Sequence, residues 1–169
     1  MEKFWNIIHY FIYKADFRLH LLFTKISPIM LLYKLPIVKR RFDKLGVNPM
    51  DALNKSFQRP DFGISSIRAG GLMYVLFFFL CLGIIFSISG IAQLIIHLRP
   101  YHFILLIVIS IIVNYFLLFK QNKYRTYFKK FDKMPKLERK KWALISLTVI
   151  IGILLFFISS FLFMSYRLG

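Results

Sequence analysis

Few side chains in this chain could do chemistry, and their spacing limits what that chemistry could be. His97 and His102 flank the stretch HLRPYH, five apart around Pro100. Two imidazoles so placed could share a metal ion, but a closed site takes three or four ligands. No carboxylate or cysteine is expected on that side, so the two histidines are read as polar caps of helix ends. No metal and no other cofactor is expected. His9 and His20 are eleven apart in the first helical segment and are expected to be solvated. Cys81 is the only cysteine. That excludes an intramolecular disulfide and a cysteine metal cluster, and leaves a small buried thiol.

The carboxylates do no better. Asp43, Asp51 and Asp61 lie in polar segments and are the acids that a lipid-modifying enzyme could use, but such a site needs its groups clustered. Asp61-Phe62-Gly63 spells a protein-kinase triplet without the glycine-rich loop, the catalytic HRD or the strand lysine that give it meaning. Asn54-Lys55-Ser56 is a glycosylation sequon, expected on the cytoplasmic side and therefore unmodified. No phosphate-cradling glycine motif and no nucleophile triad can be assembled. Catalysis is not expected.

The elements that must carry these residues are dominated by apolar runs. The chain has 169 residues, 58% of them hydrophobic, with 20 Phe, and a mean hydropathy of +0.62. A helix needs about 20 apolar residues to cross a bilayer's hydrocarbon core. Three stretches qualify, at about 71–96, 101–119 and 142–164, and none holds Asp, Glu, Lys or Arg. Leu98, Arg99 and Pro100 alone separate the first two, so these should form an antiparallel hairpin. The expected fold is an all-α integral membrane protein with three transmembrane helices and an amphipathic, interfacial N-terminal region. Residues 1–69 form that cytoplasmic or interfacial region, and 70–169 the membrane region with a basic loop at 120–141.

In the N-terminal region, residues 3–26 read as one amphipathic helix. At 100° per residue, Lys3, Lys14, Arg18 and Lys25 share a sector beside an apolar face of Phe4, Ile8, Phe11, Ile12, Leu19, Leu22, Phe23 and Ile26. Asn6, His9, Asp16 and His20 lie opposite. An apolar face with a basic edge is the pattern of a helix lying in the membrane interface. Pro28 should end it. The stretch 29–38 carries Lys34 and Pro36 and reads as interfacial or re-entrant rather than as a fourth span. Lys39, Arg40, Arg41 and Lys44 follow as a basic cluster. Asn48 and Pro49 are N-cap and first-turn residues for a short helix to about Phe57. The segment 58–70 reads as a loop or bent approach to the membrane. The start shows no cleavable signal, and Glu2 stands where myristoylation needs glycine.

Charge sets orientation. The chain holds 24 Lys and Arg against 7 Asp and Glu, a net of +17. Twelve of the basic residues precede residue 71 and ten lie in 120–141, leaving Arg99 and Arg167 elsewhere. Basic loops stay cytoplasmic, so the N-terminus should be cytoplasmic and the C-terminus outside a plasma- or inner-type membrane. Tyr124, Tyr127, Phe128 and Phe131 recur at helical spacing in the loop, in a stretch expected to continue the second span until Pro135. Basic residues interleaved with aromatics can bind single-stranded nucleic acid. Beside a membrane the same composition binds anionic headgroups. The lipid reading also explains the N-terminal stripe and is preferred, with Lys3, Lys14, Arg18, Lys25, Lys39, Arg40, Arg41, Lys123, Lys129 and Lys130 as contacts.

Small and polar residues inside the spans mark helix contacts. Gly83, Ser87 and Gly90 form one stripe, and Thr148, Gly152 and Ser159 another. Depth along each helix pairs Asn114 with Thr148 or Ser146, and Gln93 with Ser159 or Ser160. These residues suit helix packing within the chain, with a second copy or with another membrane protein. The function they fit is that of a non-catalytic accessory or scaffold subunit of a larger membrane assembly, or of a protective membrane protein that binds a toxin. Two alternatives belong to other classes: an oligomeric channel or transporter component, and a lipid-modifying membrane enzyme.

Overall fold

The computed structural model describes residues 1–26, 35–46, 48–59, 63–93 and 99–168. Helix is the only regular structure among them. The helices are α1 (Glu2–Ile26), α2 (Pro36–Lys44), α3 (Pro49–Gln58), α4 (Ile64–Ala92), α5 (Pro100–Asn114), α6 (Lys123–Asp132) and α7 (Lys136–Leu168). Three helical stretches are long and apolar enough to cross a membrane: Ile64–Ala92, Pro100–Asp132 and Lys136–Arg167.

The bounds correct two expectations. The segment read as a loop to residue 70 is helical from Ile64. Gly63 makes the turn that starts it: its N–H donates to the Arg59 carbonyl at 2.9 Å, and a Cβ there would fall 2.1 Å from that oxygen. At the other end α4 stops at Ala92, and Gln93 turns into the left-handed region with φ 51°. The rest of the expected hairpin tip, 94–98 with His97, lies outside the described residues, as do 29–34 of the segment read as re-entrant. Beyond the tip, Pro100 opens α5, and the Arg99 N–H donates to His102 Nδ1 at 3.0 Å. His102 thus caps a helix end, as expected.

The second correction concerns the exit of the second apolar stretch, which is not one straight helix. After Asn114 the chain widens into a π turn, Tyr115–Phe119, and tightens into a 3-10 turn, Lys120–Asn122. Gln121 and Asn122 both take positive φ, 58° and 53°. Two consecutive left-handed non-glycine residues break the i→i−4 ladder and redirect the chain into α6. Pro135 then separates α6 from α7, where the sequence placed the stop.

The chain divides into two compact units, Met1–Tyr10 with Gly71–Gly169, and Phe11–Gly70. In the first, Leu82, Phe86 and Leu106 form a core that Phe78, Phe79, Cys81, Ile85, Phe157 and Met164 extend. α4 and α7 run parallel in constant register. Gly83 faces Phe156 and Phe157, Ser87 Oγ meets Ser160 Oγ at 2.9 Å, and Gly90 faces Phe163 and Met164. Each pairing joins residues about 73 apart in sequence, the separation of the two serines. A Cβ on either glycine would come within 2.7 Å of a phenylalanine ring, so glycine sets how closely these helices approach.

In the second unit, the His20 ring stacks on Phe57 with centroids 3.6 Å apart. The Tyr13 hydroxyl donates to the Gln58 carbonyl. Arg68 reaches over Phe57 and pairs with Asp16 at 3.5 Å. His20 is therefore a part-buried aromatic packing partner of α3 rather than a fully solvated residue. Leu19, Leu22, Phe23 and Ile26 stay exposed along the last two turns of α1.

Candidate interaction site: the N-terminal dock and the basic elbow

The break after Asn114 creates a local problem. Carbonyls in the last turn before a helix break lose their helical donors, and an amide this deep in apolar surroundings needs partners. The first turns of α1 supply both. Trp5 Nε1 donates to Asn114 Oδ1 at 2.8 Å, and Asn114 Nδ2 donates to the Ser110 carbonyl at 2.9 Å. Asn6 Nδ2 donates to the carbonyl of Leu117, inside the π turn, at 2.9 Å. Ser110 Oγ extends the chain of contacts by donating to the Tyr74 carbonyl of α4 at 2.7 Å.

Beyond the break, α6 lies against the same end of α1. Lys123 Nζ reaches Glu2 Oε2 at 2.7 Å, and the Tyr127 hydroxyl donates to Glu2 Oε1 at 3.3 Å. His9 sits among Phe119, Tyr124 and Phe128, with ring centroids 5.1–6.1 Å away. Tyr10 packs on Phe128 and Phe131 and donates its hydroxyl to Asp132 Oδ1 at 2.7 Å. Asn6, His9 and Tyr10 are fully buried. This overturns the solvated polar face expected for Asn6 and His9: here that face is turned inward, onto the break.

The electrostatics follow from these contacts. The hydrogen bond from Lys123 holds the Glu2 carboxyl below its ordinary range. Burial, followed by the bond to Asp132, pushes the Tyr10 phenol well above its ordinary value. Tyr10 thus keeps its proton as a donor, and Glu2 stays a carboxylate acceptor. These groups hold the dock together and offer no labile proton near neutral pH.

The other expected site residues divide. Gly83, Ser87, Gly90 and Ser160 do line a helix contact. Asn114 does not meet Thr148 or Ser146, because Trp5 takes its carbonyl oxygen. Ser160 pairs with Ser87 rather than Gln93, which is exposed in the turn after α4. Thr148, Gly152 and Ser159 are exposed, and a Cβ on Gly152 would meet nothing within 4 Å. The inward face of α7 is instead Ser146, Ile153 and Ser160. Of the basic residues, Lys3, Arg18, Arg40, Arg41, Lys129 and Lys130 are exposed, and Lys14 lies beside the Tyr13 ring. Lys123 is not an outward contact, since Glu2 engages it. The side chains of Lys25 and Lys39 lie outside the described residues.

Sequence reading missed Glu2, Trp5, Asn6, Tyr10 and Asp132 as members of one site. The available signal was the polar face of α1 itself, which has the right chemistry to satisfy Asn114. The chain was compared with protein families, curated proteins and solved structures, and it matches none.

Proposed function

We propose that this chain is a non-catalytic, three-span membrane protein that serves as an accessory or scaffold subunit of a larger membrane assembly. The observation that carries the reading is how the polar side chains of the apolar helices are used. Asn114 meets Trp5, Ser87 meets Ser160, and Ser110 meets the Tyr74 carbonyl. Each contact joins one helix to another, and such contacts hold bundles together in lipid. They leave these groups engaged in structure rather than aimed at a substrate. α7 adds a surface for a neighbour: in its most apolar window only 11% is buried within the chain.

In this reading the N-terminus and the basic elbow are cytoplasmic, and the C-terminus is outside. Anionic headgroups of the cytoplasmic leaflet meet the basic surfaces, and another membrane protein meets α7. Affinity purification of the full chain in mild detergent tests the proposal. A stable complex with a second membrane protein is the expected outcome. A homo-oligomer that conducts ions in liposomes would replace it with the channel reading, and turnover of a lipid headgroup with the enzyme reading. Reporter fusions after Gly169 and within 120–141 test the orientation. A cytoplasmic signal from the C-terminal fusion would overturn it.

A further inference from the structure

We infer that the elbow between α6 and α7 is a docking surface for anionic phospholipid headgroups, built from Lys129, Lys130, Lys133, Lys136, Lys140 and Lys141. The inference rests on the membrane reading above and narrows it to these six side chains. The segment 120–141 holds ten basic residues, and the structure sorts them. Lys123 is paired with Glu2, and Lys120 lies over the Phe116 ring. Arg125 lies over Tyr124, and Arg139 lies beside the Tyr10 hydroxyl. The remaining six are all exposed, and no ion pair engages them among the described residues. The segment's two acids, Asp132, which accepts from Tyr10, and Glu138, are both exposed, and against ten basic residues they leave the surface strongly positive.

The chemistry of the partner follows from what α6 does with its other face. Binding single-stranded nucleic acid needs charge together with aromatic platforms for the bases. The platforms are taken, because Tyr124, Phe128 and Phe131 are buried against α1. Tyr127, partly exposed, stacks on Phe131 and donates to Glu2, so what faces outward is mainly charge, which complements a sheet of phosphate headgroups. The placement agrees. α7 runs without a break from Lys136 through Trp142 into its apolar stretch. At 1.5 Å per residue Trp142 lies about 9 Å beyond Lys136, the depth from headgroup to interfacial belt. Leu137 stands 82% exposed among the lysines. An isobutyl group there is costly in water and at home in the interface.

The test uses the full chain reconstituted in bilayers of phosphatidylcholine and phosphatidylglycerol. Trace spin-labelled phosphatidylglycerol and phosphatidylcholine report which lipid is held at the protein boundary. The expected result is a preference for phosphatidylglycerol that falls roughly two- to five-fold for each lysine changed to Gln. It should vanish at high salt, survive Lys→Arg replacement at all six positions, and be unchanged in Lys123→Gln. These lysines are exposed, and far-ultraviolet circular dichroism verifies that the Gln variant folds. Equal holding of both lipids by the natural chain would overturn the inference, as would full preference in the six-Gln variant. Nucleic acid that co-purifies with the chain and displaces the labelled lipid would overturn it in favour of that partner. Carbonate extraction separates the two levels. A chain removed from the bilayer by carbonate refutes the membrane reading itself, whereas a retained chain without preference refutes this inference alone.

Discussion

Trp5 and Asn114 are 109 residues apart in sequence, and their side chains are joined at 2.8 Å. The bond ties the first turns of α1 to the last residue of α5, just where the second apolar stretch breaks. Around it, Asn6 takes the Leu117 carbonyl and Glu2 takes Lys123. The polar residues of one helix thus satisfy the disrupted backbone of another.

Trp5→Phe keeps an aromatic ring, though a smaller one, and removes the donor. It should destabilise the folded chain by about 1–3 kcal/mol, because Asn114 is then buried with an unpaired oxygen. Pairing it with Asn114→Leu should recover part of the loss, since both polar partners are then gone. Denaturant titration in detergent, followed by circular dichroism, gives the double-mutant cycle. Additive losses would show that the two side chains do not interact.

The Glu2–Lys123 pair predicts an acid limb. Glu2 has a depressed pKa in the folded chain, so its stabilisation is present above the ordinary glutamate value of 4.5 and lost as pH falls below it. The dock should therefore be insensitive to Glu2→Gln at low pH and weakened by it at neutral pH. Hydrogen exchange of the amides of α1 at the two pH values measures this. High salt should reduce the neutral-pH difference, because the pair is partly exposed.

Tyr10→Phe should weaken the dock by about 0.5–1.5 kcal/mol, the usual net worth of one hydrogen bond, while keeping the ring contacts to Phe128 and Phe131. Tyr10→Ala removes the ring as well and should cost about 3–5 kcal/mol, in line with loss of a fully buried aromatic side chain. Comparing the two denaturation midpoints separates the hydroxyl from the ring. Equal losses would mean that the Asp132 contact contributes everything and the ring nothing, and an unchanged Tyr10→Phe midpoint would mean that the contact contributes nothing.

The parallel α4–α7 contact predicts a contrast between glycines. Gly83→Leu and Gly90→Leu push a side chain into Phe156 and Phe163, and each should destabilise by about 1–3 kcal/mol through overpacking. Gly152→Leu should be tolerated, because its surroundings are open. In a Cys81→Ser background, Ser87→Cys with Ser160→Cys should crosslink within one chain, and Asn114→Cys with Thr148→Cys should not. Non-reducing electrophoresis reads both.

The three apolar helices were legible because length and hydropathy are local properties of the chain. So were the stop at Pro135, the start of α3 at Pro49 and the small-residue stripe Gly83, Ser87 and Gly90. Rotation about each helix axis was not legible. α7 is apolar on every side, so nothing in its pattern distinguishes Ser146, Ile153 and Ser160 from Thr148, Gly152 and Ser159. Depth arithmetic placed Asn114 level with Thr148 but could not say which way the amide points. The wheel of α1 assigned its polar face to water and its apolar face to the interface, whereas Asn6 to Tyr10 are buried on every side and Ile12 is buried as well. That assignment depends on what lies opposite, and what lies opposite is a break that no single residue announces. Gln121 and Asn122 hold left-handed backbone in a stretch whose composition reads as continuous helix. Only the folded chain shows that Asn6, His9 and Tyr10 are turned toward that break, because burying a polar face is favourable only where partners for it already exist.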